Sequence, residues 1–169
     1  VLMTITPEQG GHFALHIRIP GWARNEAIPG GLYGFSNNDA EKYILKVNGK
    51  EIASELKAGY AIIKRSWKKG DVIELSLPLP VRTVIADSRV EEDKNKYAVQ
   101  RGPLMFCAEW PDNPGGNVLN LVIDENPVFA AEYNNGMLNG IETIKTSARQ
   151  AKRGIDGTIV LGEYEDITL

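Results

Sequence analysis

Cysteine and histidine are nearly absent from this chain of 169 residues, which has one cysteine, Cys107, and two histidines, His12 and His16. A single thiol excludes an internal disulfide framework and a cysteine-rich zinc site. No apolar run reaches the roughly 18–20 residues of a membrane-spanning helix, so no membrane partner is expected. Concentrated positive charge is missing too. Net charge is -3, and the densest basic stretches are Lys64-Arg65 with Lys68-Lys69, and Arg149 with Lys152-Arg153. Nucleic-acid binders gather cations on one face to neutralise several phosphates, so no nucleic-acid partner is expected either. The sequence opens on the strand-like Val1–Thr6 without an initiator Met. It is therefore expected to be excised from a longer polypeptide, with any targeting signal upstream.

Helical periodicity is also lacking, because no segment keeps the 3,4 spacing of apolar residues for the 10–12 residues a helix needs. What is present is alternation. In Phe13–Ile19 the odd positions are Phe, Leu, Ile and Ile and the even ones Ala, His and Arg, which buries one face of a strand. Gly10-Gly11 before it suits a hairpin back to Val1–Thr6. After Pro20-Gly21 a long loop, 22–39, contains Pro29-Gly30-Gly31 and Ser36-Asn37-Asn38-Asp39. Loops of that length are uncommon and often functional. Strands are expected again at Tyr43–Val47, Tyr60–Arg65, Val72–Leu77 and Val81–Ala86, with a hairpin at Asn48-Gly49. The charged stretch Glu91–Lys96 breaks the pattern. Beyond it, after a second loop at Pro111–Gly116, shorter strands are expected at Val118–Ile123, Val128–Glu132, Ile141–Ser147 and Thr158–Leu161. With 43% hydrophobic and 24% charged residues, the fold class expected is all-β, antiparallel β-sandwiches. Two small domains are predicted: 1–93, carrying the long loop, and 94–169, the second lacking a closing strand.

Residues able to carry chemistry are few. On one strand, His12 and His16 lie roughly 13 Å apart, too far to share an ion with bonds near ~2 Å, and are read as surface residues. Cys107 sits in the apolar run Leu104–Ala108 and is read as a buried small hydrophobe. Glu163 with Glu165, and Glu91-Glu92-Asp93, are carboxylate groupings better explained as solvated charge near turns. Gly154-Ile155-Asp156-Gly157 offers too few oxygens for calcium and reads as a turn. No catalytic, cofactor or metal residue is assigned. Trp22 and Trp67 are expected to cap the core. Tyr33, Phe35 and Trp110, in or beside loops, are the candidates for carbohydrate or interdomain contact, since a flat ring stacks on the apolar face of a sugar.

Several segments in order carry a resemblance: Leu15–Ala23 (LHIRIPGWA), Val47-Asn48-Gly49, Gly59–Asp71 (GYAIIKRSWKKGD), Leu77–Arg82 (LPLPVR) and Ala98–Leu104 (AVQRGPL). Together they resemble the C-terminal region of the β-L-arabinofuranosidase family, glycoside hydrolase family 127, well over about residues 10–110 and weakly beyond. The resemblance implies an (α/α)6-barrel catalytic domain upstream, holding the family's catalytic glutamate, cysteines and zinc, followed by two β-sandwich domains. It carries no catalytic residue onto this chain, and Cys107 does not correspond to the family's nucleophile. The implied role is a non-catalytic accessory region packing on the barrel of the same polypeptide; from its length and its Tyr33 and Phe35, the 22–39 loop is expected to reach the active-site mouth. A carbohydrate-binding module using the loop aromatics is the alternative. A homodimer through an unpaired strand edge and an exported bacterial parent enzyme are further expectations.

Overall fold

The computed structural model describes residues 1–37, 41–113 and 117–169. Asn38 and Asp39 of the long loop and Pro114-Gly115-Gly116 of the second lie outside these. Among the described residues the chain is all-β, its only helical pieces being short 3₁₀ turns. It divides into two compact units, Val1–Tyr97 with Arg101–Pro103, and Ala98–Gln100 with Leu104–Leu169.

The first unit contains β1 (Leu2–Ile5), β2 (Gly11–Arg18), β3 (Tyr33–Phe35), β4 (Ile44–Val47), β5 (Lys50–Glu51), β6 (Glu55–Lys57), β7 (Tyr60–Trp67), β8 (Asp71–Ser76) and β9 (Val81–Ala86). One antiparallel sheet runs β1-β8-β4-β5 and another β2-β7-β6. Alternation dictates what they bury. Ile17 of β2 and Ala61, Ile63 and Trp67 of β7 meet Leu45 and Val47 of β4 and Ile73 and Leu75 of β8 in one core. Trp67 is fully buried and Trp22 packs half-buried against the same core. The expected β1–β2 hairpin does not form. β1 pairs with β8 and β2 with β7, in different sheets, so Thr6–Gly10 crosses the sandwich instead of reversing within a sheet. β1 pairs along Leu2–Ile5 with β8 and β2 along Gly11–Arg18 with β7, so each gains a full ladder and a shared buried face.

The Asn48-Gly49 turn joins β4 to β5 with φ of 51° and 75°, the left-handed pair such hairpins require. Asn48 also donates from Nδ2 to Asp71 Oδ1 (3.0 Å) and accepts Val72 N–H at Oδ1 (2.8 Å). The Lys68 amide donates to Asp71 Oδ2 (3.0 Å). These donors, the Asn48 amide foremost, hold the Asp71 carboxyl below its usual range although burial opposes them. A folded-state pKa below the unfolded one contributes stability that is complete above about pH 4. That contribution is lost as pH falls through the lowered folded value. Asp71→Asn is therefore expected to flatten the acid limb of stability, read as urea midpoints between about pH 2 and 5.

The second unit contains β10 (Ala98–Arg101, its last residue counted with the first unit), β11 (Leu104–Phe106), β12 (Leu121–Val122), β13 (Ala130–Asn134), β14 (Ile141–Arg153) and β15 (Ile159–Thr168). β14 is its axis. β13 pairs with the beginning of β14, β12 with its end, and β15 along its other side, with a bulge between Arg149 and Ala151. Ile144, Ala148 and Ile167 are its most buried apolar side chains. Here β14 and β15, at 13 and 10 residues, far exceed the strands expected at Ile141–Ser147 and Thr158–Leu161. Val118–Ile123, read as one strand, begins as a 3₁₀ turn at Val118–Asn120. Asn117 caps that turn by accepting the Leu119 amide (3.2 Å), a local side-chain bond that outcompetes the ladder.

Candidate functional site

Tyr33 and Phe35 lie on a strand, which corrects the reading of 22–39 as one irregular loop. β3 pairs antiparallel with β9, Tyr33 opposite Ala86 and Phe35 opposite Val84. Residues i and i+2 share a face, so the two rings stand on the same side. Each is held by a side chain from elsewhere in the first unit. The Tyr33 hydroxyl donates to Asp93 Oδ2 (2.9 Å), and that bond, with the carboxylate's charge, raises the phenol pKa. The Arg82 guanidinium lies over the Phe35 ring, 3.5 Å from its centroid, and donates to the Asn37 backbone oxygen and to Asn37 Oδ1 (3.2 Å). The Ser36 and Thr83 hydroxyls touch, and the Ser36 amide donates to Thr83 O (3.0 Å).

This end of the segment is thus tied down at several points, and one face of Phe35 is occupied by a cation. Asp93, which holds Tyr33, also lines a cleft of about 640 Å³ with Ile85, Asp87, Val90, Lys96 and Tyr97 among others. Tyr33→Phe removes one tie and leaves the ring. Hydrogen exchange should then quicken at the Asp87 amide, which donates to Leu32 O (2.8 Å). Exchange in the buried β7 is expected to stay unchanged.

Trp110 belongs to the second unit and opens the 3₁₀ turn Trp110–Asp112 with its side chain 57% exposed. Asn113, closing that turn, is buried. Its Nδ2 donates to Glu109 O (2.7 Å) and Thr168 O (3.0 Å), and its Oδ1 accepts the Thr168 amide (2.8 Å). Trp110 is therefore presented on a turn clamped to β15. Sequence reasoning passed over Arg82 and Asn113, although the spacing Tyr33-Gly34-Phe35 is itself strand-like.

Cys107 is exposed, not buried: β11 ends at Phe106, and Leu104 and Met105 before it are exposed as well. His12 and His16 are exposed on β2, His16 beside Tyr60 (6.4 Å between rings). Glu163 and Glu165 are exposed on β15. Gly154–Gly157 forms a turn, its Asp156 carboxylate accepting Thr158 N–H (3.1 Å) and Oγ1–H (2.7 Å). Among the described residues no group of three or more His, Cys, Asp or Glu is placed to hold a metal ion. What each unit offers chemically is contact: ordered aromatic rings in the first, and an exposed indole in the second.

Known proteins resemble this chain along most of its length. The family model for the β-L-arabinofuranosidase "GH127 middle domain" matches residues 1–79, and that for the "Glycoside hydrolase family 127 C-terminal domain" matches residues 81–156. A non-reducing end β-L-arabinofuranosidase from Bifidobacterium longum subsp. longum is 33% identical over 137 residues, covering 78% of this chain and 18% of that protein. The solved structure of a GH127 β-arabinofuranosidase matches with a TM-score of 0.87 at 36% identity, over 99% of this chain and 26% of that one. A GH127 β-L-arabinofuranosidase from Geobacillus stearothermophilus matches with a TM-score of 0.76 at 28% identity, over 99% of this chain and 25% of that one.

Proposed function

The chain belongs to glycoside hydrolase family 127, whose middle and C-terminal domains it comprises, and on that premise we propose that it is the accessory β region of an arabinofuranoside-cleaving enzyme. Its work on this reading is to pack against and stabilise an (α/α)6-barrel catalytic domain of the same polypeptide. The observation that carries the reading is the unequal coverage: 99% of this chain corresponds to only 26% of a β-arabinofuranosidase. Zinc and the reacting groups belong, on this reading, to the catalytic domain, and no bond-breaking step is assigned to residues here. An exported parent enzyme is part of the same proposal; N-terminal sequencing of the mature polypeptide, showing a signal peptide removed, checks it.

The test compares three proteins on p-nitrophenyl β-L-arabinofuranoside: the full-length polypeptide, the same without these 169 residues, and these residues alone. Release of nitrophenol is expected from the first and not from the last, with a lowered Tm and soluble yield for the second. Hydrolysis by the isolated region, or a shortened enzyme as stable and active as the full one, removes the proposal. Carbohydrate binding is the second reading, favoured by the exposed indole of Trp110 on its clamped turn. Calorimetry with arabino-oligosaccharides checks it: affinity lost on Trp110→Ala is expected, and no binding by the unsubstituted region counts against it.

A further inference from the structure

The second unit presents an apolar groove of about 440 Å³, lined by Met105, Phe106, Cys107, Leu138, Ile141 and Leu169 among others. Its rim is open: Met105 is 54% and Leu138 81% exposed, and exposed apolar groups gathered in one patch mark contact surfaces. The walls are fixed. Asn113 clamps one side through its three hydrogen bonds, and Leu169 exchanges both backbone hydrogen bonds with Ile144 (2.8 and 3.0 Å).

Leu138 adds an independent signal. It stands in the left-handed region (φ 47°), followed by Asn139 (65°) and Gly140 (108°). A leucine in that conformation is strained, and here it holds a large apolar side chain out to solvent. Strain of this kind is retained where a contact repays it.

The chemistry selects the occupant. An apolar stripe of Met105, Phe106, Met137, Leu138, Ile141 and Leu169 flanked by the carboxylates of Glu109, Asp112 and Glu142 suits a polypeptide segment that carries apolar and basic side chains. Relatives of this chain are several times longer, this chain covering 18% and 26% of them, so most of such a polypeptide lies outside these residues. We propose that the groove is the docking site of another part of the same polypeptide, which seats apolar side chains between Met105 and Leu138 and sets Lys or Arg against Glu109 and Asp112. This rests on the reading that the chain serves a larger enzyme.

Cys107, exposed in the groove, is the built-in probe. Its labelling by N-ethylmaleimide, followed by mass spectrometry of the peptide that contains it, is compared in the full-length polypeptide and in residues 1–169 alone. Labelling roughly tenfold slower in the full-length protein is expected, because access sets thiol reactivity. Leu138→Asp, which introduces a residue better tolerated in the left-handed region, should not lower the urea midpoint of the isolated residues and should abolish the protection in the full-length protein. Equal labelling rates overturn the proposal. So does protection that appears in the isolated residues as they dimerise on concentration, or on adding arabino-oligosaccharide. An active full-length enzyme with an unprotected Cys107 sinks the docking site and leaves the functional reading standing. A protected Cys107 in an inactive polypeptide does the reverse, and a gene encoding nothing beyond these residues removes both.

Discussion

Trp67→Ala is expected to destabilise the first unit by about 4 kcal/mol, the usual cost of deleting a large aromatic from a core. Trp67 ends β7 with 1% of its surface exposed. Its indole N–H donates to Phe13 O (3.1 Å), the Phe13 ring lies 6.2 Å away, and the Arg65 guanidinium sits 5.1 Å from its centre. Truncation empties the space between the two sheets and removes the donor that ties β7 to β2. Small domains are stable by only about 5–15 kcal/mol, so this one change consumes a large share. Trp67→Phe, which keeps most of the volume and loses only the N–H, is expected to cost about 1–2 kcal/mol. Urea unfolding followed by far-UV circular dichroism reads both. Equal midpoints for the two variants would show that the hydrogen bond, not the packing, carries the residue's contribution.

In the second unit, Asn113→Ala is expected to cost about 3 kcal/mol. The side chain is only 8% exposed and satisfies three backbone groups, Glu109 O and both the amide and carbonyl of Thr168. Alanine strands them, and a buried polar group without a partner costs its full desolvation. Asn113→Asp discriminates between lost volume and lost donors. It keeps the acceptor for the Thr168 amide and replaces the donating NH₂ by a charged oxygen facing two carbonyls. At neutral pH this variant should be no more stable than Asn113→Ala. The introduced carboxyl has its pKa raised by those carbonyls, so its penalty is largest above that raised value and eases as pH falls and a proton restores one donor. A urea-midpoint series from pH 7 to about pH 4 shows the recovery for Asn113→Asp and none for Asn113→Ala. The same clamp holds one wall of the apolar groove, so both variants should also weaken the protection of Cys107 in a full-length enzyme.

The first unit was legible where side-chain chemistry repeats along the backbone. Phe13–Ile19 alternates over seven positions, and β7 buries Ala61, Ile63 and Trp67 in step. The Asn48-Gly49 turn needs only two residues tolerant of positive φ to declare itself. The candidate contact residues were legible as residue types, aromatics near loops, and not as an arrangement. Tyr33 and Phe35 have separate tasks because Asp93 and Arg82, distant in sequence, reach them. Trp110 alone of the three keeps an exposed ring.

The sequence by itself determined the all-β class, most strands of the first unit and the family, because alternation, turn residues and ordered motifs are properties of neighbours along a chain. Tertiary structure alone decided that β1 and β2 join different sheets, since each finds in a strand distant in sequence a full ladder and a shared buried face. It also decided the length of β14 and β15: the end of β14 has little apolar pattern and is held by its ladder with the start of β15, Arg153 opposite Ile159 and Ala151 opposite Leu161. The exposure of Cys107 was likewise outside the reach of local reading: an apolar run says that burial is favourable, and only the placement of its strand says whether anything in these residues covers it.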